Sequence, residues 1–216
     1  LAAGKCGCWD DGSFIKRGIL REGTRAMIQS LYEPFRHWSD GGSVFLLSDT
    51  HFDDSDCKLM DPNWIMPEEQ IKIINSIVHK GDTFVCLGDV GNAKYVPMIN
   101  ARRKVLLLGN HDARGAYKNV FDEIYAGPLF ISEKILLSHE PIYGLTWCLN
   151  IHGHDHNGTE PYSEDCKYLN LAANVCGYTP VNLGKLIKKG ILSDIVGIHR
   201  ITIDQATERK RRREGV

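Results

Sequence analysis

"VFLLSDTH", Val44 to His51, is an apolar run that ends in an aspartate and a histidine two residues apart. Bounded on its other side by the Gly41-Gly42 turn, the run "VFLLS" (44–48) reads as a buried strand. Asp49 and His51 therefore stand just past its carboxyl end. The same arrangement recurs downstream. "TFVCL" (83–87) leads into Gly88-Asp89, and "KVLLL" (104–108) into Gly109, Asn110, His111 and Asp112. "KILLS" (134–138) leads into His139. "WCLNIH" (147–152) leads into "GHDH", which carries His154 and His156.

In open α/β sheets, ligands bind outside the carboxyl ends of the strands. Five strand ends thus aim Asp, His and Asn at one edge. Glycines at 88, 109 and 153 permit the tight polar turns that such ends need. Taken singly, Asp49 or Asp89 reads as a helix cap or turn former, His139 as a structural histidine, and "GNHD" as a turn. Taken together, carboxylates and neutral imidazoles that converge on one point need a cation among them.

The segments between these strands complete the expected fold. "MPEEQIKIINSIVHKG" (66–81) predicts a helix. Pro67 suits its first turn, Glu68 and Glu69 its positive end, and Ile71, Ile74, Ile77 and Val78 its apolar face. Shorter helices are expected over 93–101, 116–125 and 182–189. Further strands are expected at "LFIS" (129–132), "YLNLA" (168–172) and "GIHRITID" (197–204). Strand–helix alternation followed by consecutive strands argues for an α/β domain with a mixed sheet or two stacked sheets.

With 216 residues, 43% of them hydrophobic, the chain can build one domain with a sizeable core. The expected division is an N-terminal appendage over 1–43, the main domain over 44–205 and a basic tail over 206–216. The appendage should hold a short amphipathic helix with Met27, Leu31 and Phe35 in one stripe, stopping near Pro34. A net charge of −1 argues against a general polyanion binder, and the run Arg209 to Arg213 reads as a solvated end. No apolar stretch is long enough to span a bilayer. Seven cysteines, an odd number, with Cys86 and Cys148 inside apolar runs, point to reduced thiols and a cytoplasmic protein. Cys6 and Cys8 lack a second pair at zinc spacing.

The five motifs, D-x-H, G-D, G-N-H-D, H and G-H-x-H in that order, resemble those of the calcineurin-like metallophosphoesterase superfamily. The likeness covers about 44 to 156. It continues more weakly through "NLAANVCGYTPVNLGKL" (170–186), as in small bacterial and phage-type members. It implies two stacked mixed β-sheets flanked by helices, a metallophosphoesterase-like sandwich. It also implies roles for particular residues. Asp49, His51, Asp89 and His156 would hold one divalent ion. Asp89, Asn110, His139 and His154 would hold a second, with Asp89 shared. Manganese is the first expectation for both; iron, zinc, nickel and cobalt suit the same donors. His111 would be the general acid, with Asn110 and Arg114 beside it on the phosphate.

One departure bears on the substrate. Protein phosphatases of the superfamily extend the second motif to G-D-x-V-D-R-G. Here Asn92 stands where the aspartate that orients the catalytic histidine would be, and Ala93 where the arginine would be. Asp112 or a backbone carbonyl is left to orient His111. The expected activity is hydrolysis of a small or nucleotide-like phosphate ester, a phosphodiester first. A nuclease, a phosphomonoesterase and a catalytically weak binding module on the same fold are the alternatives. Nucleic acid is not indicated as a partner, nor is a membrane.

Overall fold

A computed structural model describes residues 33–158 and 164–215. Its strands are β1 (Val44–Leu47), β2 (Thr83–Cys86), β3 (Arg103–Leu107), β4 (Glu123–Tyr125), β5 (Leu129–Ser132), β6 (Ile135–Leu137), β7 (Leu149–His152), β8 (Lys167–Asn170) and β9 (Val181–Asn182). Its α-helices are α1 (Cys57–Met60), α2 (Pro67–Ile77), α3 (Arg114–Tyr117), α4 (Leu183–Lys188) and α5 (Ile198–Glu214). One sheet runs β4-β3-β2-β1-β9 and the other β5-β6-β7-β8. In the first, β1 to β4 are parallel and β9 is antiparallel. In the second, β6, β7 and β8 are parallel and β5 is antiparallel. These are the two mixed sheets, flanked by helices, that the sequence implies.

Parallel strands covered on both faces read as continuous apolar runs, and β1 is buried throughout. Its side chains alternate between two cores. Val44 and Leu46 join Val85, Leu87, Val105 and Leu107 against Ile131, Ile135, Leu137, Leu149 and Ile151 of the second sheet. Phe45 and Leu47 join Phe84, Cys86 and Leu106 under Ile71 and Ile74 of α2 and Val78 just past it. Burying a side chain of this size contributes about 1.5–3 kcal/mol. The sheets also meet at their carboxyl ends, where Ser48 bridges Ala172 and its N–H donates to Leu171 O at 2.9 Å.

Several elements differ from expectation. The helix expected over 116–125 is a single turn, α3, followed by strand β4. Asp122 sits between them and ties its backbone to β3: its Oδ2 accepts from Lys104 N at 2.7 Å and its N–H donates to Lys104 O at 2.8 Å. The strand expected over 197–204 is the start of helix α5. That helix runs on through residue 206, where the sequence reading begins a basic tail. It has no buried residue and carries i,i+4 ion pairs Arg200–Asp204, Glu208–Arg212 and Lys210–Glu214. Such pairs favour a helix over a strand.

Residues Glu33–Ser39 form a 3-10 helix that includes Pro34. Phe35 and Trp38 enter the core between the sheets. Glu123 of β4 holds this segment: its carboxylate receives His37 Nε2 (2.6 Å), Trp38 Nε1 (3.1 Å), Arg103 (2.9 Å) and Tyr125 Oη (2.7 Å). Cys6, Cys8, Met27 and Leu31 lie outside the described residues. No helix among the described residues is long and apolar enough to cross a membrane.

Candidate metal centre

The carboxyl ends of β1, β2 and β3 in one sheet and of β6 and β7 in the other deliver their polar residues to one place. Asp49 Oδ1 lies 4.0 Å from His51 Nε2 and 3.8 Å from His156 Nε2. Asp89 Oδ2 lies 3.2 Å from His139 Nε2 and 3.8 Å from His51 Nε2. Asn110 Oδ1 is 2.8 Å from His139 Nε2 and 3.1 Å from His154 Nδ1. Asp49, His51 and His156 form one group with metal-ligand spacing, and Asp89, His139 and His154 form another. Asp89 stands between the two groups.

The local backbone is bent to make this possible. Asp49 (φ 55°), His51 (39°), Asp89 (51°) and His154 (66°) all adopt the left-handed region. Each such residue costs on the order of 1–3 kcal/mol, which must be met by its surroundings. Hydrogen bonds provide the restraint: Asp49 N to Gly88 O (2.9 Å), His51 N to Asp89 O (3.0 Å) and His154 N to Asp49 Oδ2 (2.8 Å). Two glycines make room. A Cβ on Gly153 would stand 2.0 Å from Asp49 Oδ2, and one on Gly88, which has φ 111°, 2.5 Å from His139 Nδ1.

The donor set fits divalent cations. Asp49 Oδ1 and His51 Nε2 are buried and have no hydrogen-bond partner among the described residues. Groups of this kind are normally satisfied. His139 Nδ1 faces Leu87 O at 2.9 Å, an oxygen that can only accept, so Nδ1 carries the hydrogen. The Nε2 lone pair then faces Asn110 Oδ1, Asp89 Oδ2 and His154 Nδ1, the last at 3.2 Å. Acceptors packed this closely need a positive charge among them. The ionisation tendencies agree. Burial opposes charge on His139, but the Asp89 hydrogen bond and the Asp49 charge outweigh it and raise its pKa. Burial would raise the pKa of Asp89, but the His139 bond and charge lower it on balance.

The remaining sequence-predicted residues are placed differently. His111 is exposed. Its N–H donates to Asp89 Oδ1 at 3.0 Å and its ring lies 5.9 Å from that of His51. Among the described residues nothing hydrogen-bonds its ring. Asp112 does not orient it, because both carboxylate oxygens accept backbone N–H groups, from Asp89 (2.8 Å), Val90 (3.1 Å) and Gly109 (2.9 Å). Asn92 caps the 3-10 helix Ala93–Met98 and donates to Asp53 at 3.2 Å. Arg114 opens α3, is exposed, and has no hydrogen bond or ion pair among the described residues. His152 is fully buried, with Nδ1 2.7 Å from Gly153 O.

Sequence reasoning missed several supporting residues. Asp54 Oδ2 lies 3.1 Å from His51 Nδ1, and Asn174 Oδ1 lies 3.0 Å from His156 Nδ1. Asp54, three residues after His51, was visible in the same motif. Asn174 lies eighteen residues past His156 and carried no signal of its own. Cys57 is close to His51 and Asp54, but burial and the Asp54 charge push its thiol up to about 12, and it donates to His51 O at 3.5 Å.

The sequence profile of the calcineurin-like phosphoesterases matches residues 42–215. The chain belongs to the calcineurin-like phosphoesterase family. Among curated proteins, no sequence matches it. A solved structure that it resembles is described as a protein of unknown function, AQ665, from Aquifex aeolicus. The identity is 22%, the TM-score 0.57, and the match covers 68% of this chain and 98% of that one. At that identity the likeness concerns the fold. The family is one of phosphoester hydrolases, and the two ligand groups of this chain suit its dependence on divalent metals.

Proposed function

We propose that this calcineurin-like phosphoesterase hydrolyses phosphodiesters, of small or nucleotide-like substrates, with two divalent ions, manganese first among them. Asp49, His51, Asp89 and His156 would hold one ion, and Asp89, Asn110, His139 and His154 the other. Bound there, the ions would neutralise phosphate oxygens and supply a water nucleophile near neutral pH. The protein's own residues do the rest. Asn110 keeps its carbonyl oxygen toward His139 and His154, which leaves its amide N–H groups for a phosphate oxygen. His111, exposed beside His51, donates a proton to the leaving oxygen.

The observation that carries the diester assignment is a cavity on either side of the centre. One, of about 270 Å³, is lined by His51, Asp54, Lys58, Trp64 and Met66. The other, of about 320 Å³, is lined by Asn110, His139, Pro128, Pro141 and Ile142. A diester has two organic arms to place; a monoester has one. Fixed cations for the extra charge of a monoester are few among the described residues, Lys58 at the first cavity apart. Arg114 has no hydrogen bond or ion pair to the ligands among the described residues, and Lys94 is paired with Asp53 at 2.7 Å. Arg102 and Arg103 are bound to Asp40 and Glu123. A cytoplasmic setting is supported by the free thiols of Cys57, Cys86, Cys148, Cys166 and Cys176.

The expected result is a higher kcat/KM for bis(p-nitrophenyl) phosphate than for p-nitrophenyl phosphate, measured with manganese at equal metal occupancy. A clear preference for the monoester would overturn the diester assignment and leave the metal centre standing.

A further inference from the structure

The two halves of the centre are supported unequally. In the Asp49, His51 and His156 half, both histidines are held through Nδ1 by side-chain oxygens. Asp54 uses its two oxygens separately: Oδ1 accepts the Asp56 N–H at 3.0 Å and closes the turn, while Oδ2 faces His51 Nδ1. That fixes the tautomer of His51 and leaves the Nε2 lone pair among Asp49 and Asp89. Asn174 does the same for His156 with its Oδ1. Its Nδ2 donates to His156 O at 2.9 Å and to Asp61 Oδ2 at 3.4 Å. Trp64 packs on both rings, with centroids 5.9 Å from His51 and 5.6 Å from His156, and is itself backed by Tyr178 at 5.8 Å. Trp64 itself is 7% exposed.

The other half is looser. His139 is oriented by a main-chain carbonyl, Leu87 O. Asn110 and His154 are exposed. A metal-bound imidazole whose second nitrogen donates to a fixed oxygen is held in its tautomer and orientation, a carboxylate such as Asp54 also raising its basicity, and loss of such a partner typically weakens metal binding about 10–100-fold.

Resting on the two-metal reading above, we propose that Asp54 and Asn174 are positioning residues for one ion. They make the Asp49/His51/His156 half the tighter site and leave the Asn110/His154 half the exchangeable one.

The test is titration of the metal-free protein with Co²⁺, followed by calorimetry and by the visible absorption of the bound ion. The unaltered protein should fill in two steps. Asp54→Ala and Asn174→Ala should each weaken the first step by roughly 10–100-fold and leave the second unchanged. Asp54→Asn, which keeps an acceptor for His51 without its charge, should recover part of the loss. Asn110→Ala should weaken only the second step. The unaltered second step is the internal control for a general loss of fold. Two steps that weaken together in Asp54→Ala, or a first step that ignores both substitutions, would overturn the assignment while leaving the two-metal centre intact. No Co²⁺ binding by the unaltered protein would remove the two-metal reading and this assignment with it.

Discussion

At the scale of single residues, His111 and the ligands pose separable problems. Asp49, His51 and Asp89 are strained and buried among one another, whereas His111 is exposed and its ring has no hydrogen-bond partner among the described residues. His111→Ala should therefore keep full metal content. It should lose turnover by about 10²–10⁴-fold, the usual worth of a positioned proton donor. The loss should shrink with p-nitrophenolate as leaving group and grow with an alkoxide, which needs its proton. Steady-state kinetics on a leaving-group series decide this, and equal losses across the series would make His111 a phosphate binder instead. The ligand positions were legible in the sequence because each follows an apolar run by one to four residues. Asn174 was not, because its link to His156 exists only once β8 lies beside β7. Asp112 was legible as part of a motif, but its use was not. It looked available to His111, and the fold spends both its oxygens on the backbone of two turns.

At the scale of elements, segments with a clear apolar pattern were legible and those without one were not: α5, which buries no residue, read as a strand and a tail. Helix α2 shows its Pro67 start and its isoleucine face in eleven residues. Strand β4 has three residues and β9 two, too few to carry a period, and both owe their place to pairing with β3 and β1. The 3-10 helix Glu33–Ser39 is held largely through β4, by the carboxylate of Glu123. Burial alone would raise the pKa of that carboxylate, but bonds from Tyr125, Trp38 and His37 bring it below its ordinary value of 4.5. A depressed carboxylate pKa contributes stability that is fully present above the unfolded value and is lost as pH falls through the folded one. The unaltered protein should thus lose stability on acidification from about pH 5 downward. Glu123→Gln should be less stable at pH 7, by roughly 1–3 kcal/mol, and show a shallower decline over the acid range. Denaturant melts at a series of pH values measure both. Parallel pH curves for the two proteins would show that Glu123 contributes nothing through its charge.

At the scale of the whole molecule, what the sequence left out was the order of the strands and which ligand-bearing strands belong to which sheet. Asp49, Asp89 and Asn110 follow strands of one sheet, and His139, His154 and His156 follow strands of the other. The centre therefore sits across the seam, and an ion bound there joins the sheets at their carboxyl ends. The seam has other support. The core between the sheets includes Leu46, Val85, Ile131 and Leu149, each buried, and Ser48 bridges Ala172 beside the centre. Removing metal should therefore loosen the molecule without unfolding it. An ion at 100 times its Kd stabilises the folded state by about 2.7 kcal/mol. For a chain of this size, chelation should then lower the Tm by about 5–10 °C per such site. Far-ultraviolet circular dichroism should hardly change, because the apolar core between the sheets remains. Calorimetry with and without a chelator, repeated after manganese is restored, measures the shift and its reversal. A Tm indifferent to chelation, in protein shown to have carried metal, would mean that the ions contribute nothing to the seam. Collapse of the dichroism spectrum would mean that the core between the sheets cannot hold them together unaided.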